Sequence, residues 1–103
     1  MPDDCDTVFF AHCYPFTFSD QCNFNNKICT FSNKDKVRKT NLCKSLAGND
    51  VVMLIITNFL SDPAEIASRK CIILTSRVHP GESNSSIIMC GVIDFLVSEE
   101  QDA

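Results

Sequence analysis

Three segments follow one another directly between residues 70 and 98, and their order most constrains the fold. The first, "KCIILTS", covers residues 70–76; it is apolar and partly β-branched, and it predicts an internal strand parallel to a neighbour. The last, "SSIIMCGVIDFLVS", has a polar or small residue every four positions and predicts a largely buried helix over 86–98, with Ser83 or Ser85 as its N-cap. A strand, a loop and a helix in this order favour an α/β fold, in which ligands bind at the carboxyl ends of strands.

The loop between these segments contains His79 and Glu82, separated by Pro80 and Gly81. Imidazole and carboxylate groups both bind zinc at neutral pH, and the H-x-x-E spacing allows both side chains to converge on one ion. Pro80 is expected to stiffen the turn, and Gly81 to let the main chain bend between the two ligands. The same spacing arises often by chance, so a turn without a metal remains the alternative.

The residues alone do not complete a catalytic zinc site, which needs a third protein ligand and an open position for water. The other histidine, His12, lies within a strand pattern, where a histidine with a satisfied hydrogen bond is the more ordinary interpretation. Cys13 and Cys90 are more typical of packing residues than of nucleophiles. The remaining glutamates are expected to be solvated surface charges: Glu65, Glu99 and Glu100.

The amino-terminal third begins with "TVFFAHCYPF", residues 7–16, which is rich in β-branched and aromatic residues and predicts a strand that ends at a turn. Residues 21–36 predict a short or irregular helix, for which Ser19 could provide the cap. The many Asn and Ser side chains in this segment compete for main-chain hydrogen bonds and weaken a helix.

The middle of the chain, "NLCKSLAGNDVVMLIITN", predicts a β-hairpin. Gly48, Asn49 and Asp50 supply the turn, and residues 51–57 are predicted to form a fully buried strand. The following segment, "FLSDPAEIAS", is predicted to be a loop.

Length and composition indicate one small domain and exclude some classes of function. The chain has 103 residues and a net charge of -4, which argues against a general nucleic-acid-binding protein. Its longest strongly apolar run, residues 51–56, is too short to span a membrane, and the acidic start does not resemble a signal peptide. Seven cysteines without a C-x-x-C pair therefore predict reduced thiols in the cytosol, with a disulfide framework as the alternative.

Four segments, in the order "FFAHCYPFTFSD", "CKSLAGN", "ILTSRVHPGESNSS" and "GVIDFLVS", resemble the cytosolic carboxypeptidases, a branch of the zinc carboxypeptidases related to carboxypeptidase A. The resemblance extends from about Asp6 to Ser98. It implies that His79 and Glu82 are ligands of Zn²⁺. It also implies a partial mixed sheet of the zinc-carboxypeptidase fold, truncated after the first zinc-binding turn and its following helix. Residues 1–18 would be the end of an amino-terminal β domain and its junction, and residues 19–103 the amino-terminal part of the peptidase domain.

The resemblance also implies a function. Enzymes of this branch remove carboxyl-terminal amino acids, notably glutamates from polyglutamylated tails such as those of tubulin. The expected partners are therefore protein carboxyl-terminal tails, without nucleic acid or membrane, and the expected location is the cytoplasm.

The sequence departs from the family pattern at several positions. Phe16 and Phe18 stand where the family has Tyr, and Ile87 stands where it usually has a large aromatic residue. The third zinc ligand, the arginines that hold the substrate carboxylate and the general-base glutamate come later in the family and have no counterpart here, so no catalytic residue is assigned. The chain alone is therefore expected to be inactive. The alternative is a non-catalytic fragment that self-associates or binds a partner through exposed apolar sheet surface.

Overall fold

The computed structural model describes residues 5, 7–30 and 33–100. Its elements, in chain order, are helix α1 (Phe18–Ile28), strands β1 (Val37–Lys44) and β2 (Asp50–Ile56), and helices α2 (Pro63–Ser68) and α3 (Ser83–Leu96). The sheet formed by the described residues consists of β1 and β2, which pair antiparallel. Helices and a sheet are thus present, as the α/β prediction requires, but the predicted parallel pairing is absent from these residues.

The β-hairpin prediction is confirmed. The register runs from Val37 opposite Ile56 to Lys44 opposite Asp50, with an irregularity between Asn41 and Cys43. Gly48 closes the turn in the left-handed region at φ +79°, where glycine pays no steric cost. The prediction of a fully buried second strand is wrong: exposure alternates along β2, because only one face of this two-stranded sheet is partly covered.

Helix α1 confirms the predicted helix, but its cap is Thr17 rather than Ser19. The Thr17 hydroxyl accepts a hydrogen bond from the main-chain N–H of Asp20 at 3.2 Å. In return, the Asp20 carboxylate accepts from the Thr17 N–H and hydroxyl, both at 2.7 Å. The main-chain bond and then the hydroxyl bond hold the pKa of Asp20 below its ordinary value. This reciprocal capping box offsets the weak helix propensity of the Asn-rich segment.

Substituting the cap tests its contribution to stability. Thr17→Ala should lower the free energy of unfolding by about 1 kcal/mol, the usual cost of losing a side-chain N-cap. The measurement is urea unfolding followed by far-ultraviolet circular dichroism. Ser19→Ala is the matched control, because Ser19 lies inside α1 and does not cap it. Equal effects of the two substitutions would contradict the assignment.

Helix α2 lies in the segment that was predicted to be a loop, so that prediction is wrong. The Asp62 carboxylate caps it by accepting from the Ala64 N–H at 2.8 Å, and Pro63 occupies the first turn. Arg69 then donates to Glu65, to Ser61 and to the Thr57 hydroxyl. The Asp-Pro pair was the available sequence signal, since both residues favour a helix start.

Neither of the strands predicted over residues 7–16 and 70–76 forms. Phe9 and Phe10 are 90% and 94% exposed, and Ile72 and Ile73 are each 82% exposed. Within the described ranges, no strand lies beside either segment. A strand needs a neighbour to satisfy its main-chain N–H and C=O groups, so apolar composition alone does not create one.

Helix α3 confirms the predicted helix, but the prediction that it is largely buried is wrong. Ser83 is its buried residue, whereas Ile87 and Ile88 are exposed. A cavity of about 670 Å³ separates the inner side of α3 from the hairpin and residues 72–77, so little packs against the helix. No described helix is long and apolar enough to cross a membrane.

Lys36 joins the start of the hairpin to the end of α3. Its ammonium group donates to the main-chain oxygens of Val97 at 3.3 Å and Ser98 at 3.1 Å, and to the Glu99 carboxylate at 2.6 Å. A cation is favourable at a helix carboxyl terminus, where main-chain oxygens lack partners within the helix. The same contact lowers the pKa of Glu99, through the hydrogen bond first and the charge second.

Candidate metal-binding turn

The H-x-x-E motif forms a closed turn between residues 70–77, which have no regular secondary structure, and helix α3. The Glu82 N–H donates to the His79 main-chain oxygen at 3.1 Å, so the two candidate ligands stand at the two ends of one turn. Both residues are exposed. Glu82 occupies the N-cap position of α3, yet its carboxylate makes no capping hydrogen bond. The carboxylate therefore remains available for a cation.

The turn bends at Gly81 without using the left-handed conformation that glycine allows. The residue in the left-handed region is Arg77, at φ +62°, whereas Gly81 is not in that region. A Cβ atom placed on Gly81 would meet nothing within 4 Å. The main chain therefore bends between the two candidate ligands at Pro80 and Gly81, as predicted, although Gly81 does so without a left-handed conformation.

The Arg77 side chain stabilises the turn through several hydrogen bonds. Its guanidinium donates through Nε to the Pro80 main-chain oxygen at 2.8 Å, inside the turn itself. Through Nη1 it donates to the Phe16 main-chain oxygen and to the Ser86 hydroxyl, both at 3.1 Å. One planar side chain therefore connects the turn, the segment before α1 and the first turn of α3.

Serine hydroxyls at the start of α3 add to this bracing. Ser83, only 4% exposed, donates to the Tyr14 main-chain oxygen at 2.5 Å. The Ser85 hydroxyl accepts from the Arg77 N–H at 3.2 Å and donates to the Glu82 main-chain oxygen at 2.8 Å. Ser83 and Ser85 were predicted as alternative N-caps of α3; instead they hold neighbouring segments against its first turn.

The donor chemistry of the turn fits zinc, because imidazole and carboxylate are two of its usual ligands. Within residues 5, 7–30 and 33–100, however, no cluster of three His, Cys, Asp or Glu side chains could hold a metal ion. His12 is exposed and is not brought into such a cluster. The described residues thus offer two candidate ligands, and a zinc site would need at least one more protein ligand from elsewhere.

Among the described residues, the thiols join no cluster that could hold a metal ion. All seven cysteines are free. Burial raises the pKa of the Cys90 thiol, and the negative charge of Asp94 raises it further. A thiol with a raised pKa is a poor nucleophile and a poor ligand at neutral pH, which supports the interpretation of Cys90 as a packing residue.

Comparison with curated proteins relates the whole chain to one family. It is 51% identical over 108 residues to cytosolic carboxypeptidase 2 of Mus musculus and 46% identical over 104 residues to the protein of that name in Homo sapiens. It is 43% identical over 104 residues to cytosolic carboxypeptidase 3 of Mus musculus. Each alignment covers 100% of this chain but only 10–12% of the relative.

No protein-family model matches the chain. No solved structure matches it either. The resemblance inferred from the four sequence segments is nevertheless confirmed by the curated relatives, whose alignments extend over all of this chain. Along its whole length, therefore, this chain is a relative of the cytosolic carboxypeptidases and corresponds to about one eighth of such a protein.

Proposed function

We propose that this chain is the part of a cytosolic zinc carboxypeptidase that supplies two of the zinc ligands, the His79 imidazole and the Glu82 carboxylate. The observation that carries the proposal is the turn itself. Its closing hydrogen bond, from the Glu82 N–H to the His79 oxygen at 3.1 Å, keeps two suitable donors together, and both side chains are exposed. The relatives' names, which identify them as carboxypeptidases, support the reaction class.

Zinc, when bound, lowers the pKa of its water to about 7 and polarises a carbonyl group, which is what peptide hydrolysis needs. The residues of this chain would hold the ion. Glu82 would bring a negative charge that offsets part of the charge of the cation, and His79 would add a nitrogen donor. The third ligand and the general base belong to residues outside the described part of this chain.

The finer features of the proposal concern substrate and location. We propose carboxyl-terminal glutamates of polyglutamylated tails, such as those of tubulin, as the substrate, and the cytoplasm as the location. The names of the relatives support the carboxypeptidase class and the cytosol. The boundary between residues 18 and 19, separating a junction from the peptidase domain, stays a prediction.

An exchange chimera tests the function. In it, these 103 residues replace the matching segment of cytosolic carboxypeptidase 2 of Mus musculus, and the assay follows glutamate release from a glutamate-tailed peptide. We expect activity that a chelator abolishes and added zinc restores, because the segment brings its two ligands to the rest of the site. The 103-residue chain alone should show no turnover, since a missing general base by itself costs about 10²- to 10⁴-fold in rate.

The unmodified relative, prepared in parallel, is the control for the assay. A folded chimera without activity would contradict the proposal, and so would activity that survives complete removal of the metal. Turnover by the 103-residue chain alone would contradict the proposed division of the site.

A second candidate function is non-enzymatic: association with a second copy or with another protein through apolar surface. The observation that favours it is exposure, because Ile72 and Ile73 are each 82% exposed and Leu74 is 55% exposed in one continuous segment. Contiguous exposed apolar residues mark interaction surfaces. A stable monomer at all concentrations would contradict this candidate.

A further inference from the structure

We propose that Arg77 is a positioning residue for the His79–Glu82 turn, and that it braces this turn against the main chain of residues 14–16. The inference rests on the proposed function, because it assigns Arg77 a role in metal affinity. A guanidinium carries only donors and cannot ligate a cation. Its influence on the metal must therefore pass through the main chain of the turn.

The first observation is the conformation of Arg77. A left-handed φ of +62° is sterically unfavourable for a residue with a Cβ atom, and surrounding contacts must compensate for it. Here they do. The Arg77 N–H reaches the Ser85 hydroxyl, and the guanidinium reaches three further acceptors. The strained residue and the contacts that hold it lie two positions before His79.

The second observation is where the guanidinium contacts fall. The Nε bond to the Pro80 oxygen, at 2.8 Å, lies between the two candidate ligands and fixes the middle of the turn. The Nη1 bond to the Phe16 oxygen anchors that same guanidinium plane to a segment 61 residues away in the sequence. A planar fork can make both contacts at once, whereas a lysine ammonium cannot match their geometry.

The third observation is that residues 14–16 are held twice. Besides the Arg77 contact at Phe16, the buried Ser83 hydroxyl donates to the Tyr14 oxygen at 2.5 Å. The Arg77–Phe16 bond therefore holds a residue just before the turn, and the Ser83–Tyr14 bond holds the residue directly after Glu82. The segment at the proposed domain junction thus serves as a support for the metal-binding turn.

Zinc titration of the full chain, followed by nuclear magnetic resonance of the histidine side chains, measures this role directly. The chain has only two histidines, so His12 is an internal reference while His79 reports binding. Arg77→Ala should weaken zinc binding at His79 about tenfold, the lower range for losing a group that orients a metal ligand. Arg77→Lys should restore only part of the affinity, and Ser83→Ala should weaken binding in the same direction.

Arg69→Ala is the matched control. Arg69 also makes several side-chain hydrogen bonds, but to residues between Thr57 and Glu65 and none to the turn. The Arg69→Ala substitution should leave the zinc affinity at His79 unchanged. An equal loss in the Arg69 and Arg77 variants would assign the effect to general destabilisation and overturn the inference.

Comparison with Glu82→Gln distinguishes the ligand assignment of Glu82 from the positioning role of Arg77. If Glu82→Gln weakens zinc binding and Arg77→Ala does not, the positioning role is wrong and the ligand assignment stands. If zinc moves the His79 resonances no more than those of His12, in the unsubstituted chain and in every variant, the ligand assignment is wrong. The positioning role is then wrong as well.

Discussion

In the exchange chimera, His79→Ala and Glu82→Gln should each lower kcat/KM by about 100-fold or more. Groups that merely orient a metal ligand typically contribute 10- to 100-fold to affinity or activity, so loss of a ligand should cost at least the upper value. Glu82→Gln is the sharper substitution, because it keeps the size of the side chain and removes its charge. The measurements are steady-state kinetics on the glutamate-tailed peptide and the zinc content of the purified protein.

His12→Ala provides the matched control for these substitutions. His12 is exposed and shares no metal-binding cluster with the turn among the described residues, so its removal should leave kcat/KM unchanged. Loss of activity in the His79 and Glu82 variants with full zinc content would show that they act in some way other than ligation. Full activity in either variant would remove that residue from the site.

The elements that sequence analysis predicted correctly are those fixed by local interactions. The hairpin follows from the turn residues at Gly48 and the apolar run after them, and α3 follows from the four-residue periodicity over 86–98. α1 forms because a Thr and an Asp three residues apart cap each other. The same capping chemistry starts α2 at Asp62 and Pro63, a local signal that outweighs the loop-like composition around it.

The predicted strands over 7–16 and 70–76 failed for a non-local reason. Their composition suits a sheet, but a strand exists only when another segment accepts and donates its main-chain hydrogen bonds. The described residues provide no such neighbour, so both segments are extended or irregular and their apolar side chains face solvent. The composition of these segments favours a strand, but without a neighbouring strand to bond with, none forms.

In the candidate site, too, the sequence predicts what local geometry determines and misses what distant contacts determine. The H-x-x-E spacing correctly placed His79 and Glu82 on one turn, since four consecutive residues are governed by local geometry. Arg77 carried no such signal. A non-glycine residue in the left-handed region depends on contacts with distant residues such as Phe16, which no local pattern reveals.

The isolated chain should form dimers or larger assemblies at micromolar concentrations. Its surface area is 8396 Å², against about 5,800 Å² expected for a compact protein of this mass. Its radius of gyration is 17.5 Å, against about 13 Å for a compact domain of this length. Much apolar surface therefore remains in water, and covering a side chain such as Ile72 or Ile73 is worth about 1.5–3 kcal/mol.

Residues 71–75 are the expected contact. In the described part of the chain, their main-chain groups make no hydrogen bond, so unpaired N–H and C=O groups lie beside exposed apolar side chains. Replacing both Ile72 and Ile73 by Lys should shift the chain to a monomer in size-exclusion chromatography with light scattering, because lysine on an edge opposes strand pairing. Leu46→Lys is the control: Leu46 is fully exposed in the hairpin turn and should not change the assembly. If both variants are equally monomeric, added charge alone prevents association. If the unsubstituted chain is itself a monomer, residues 71–75 do not pair with a second copy.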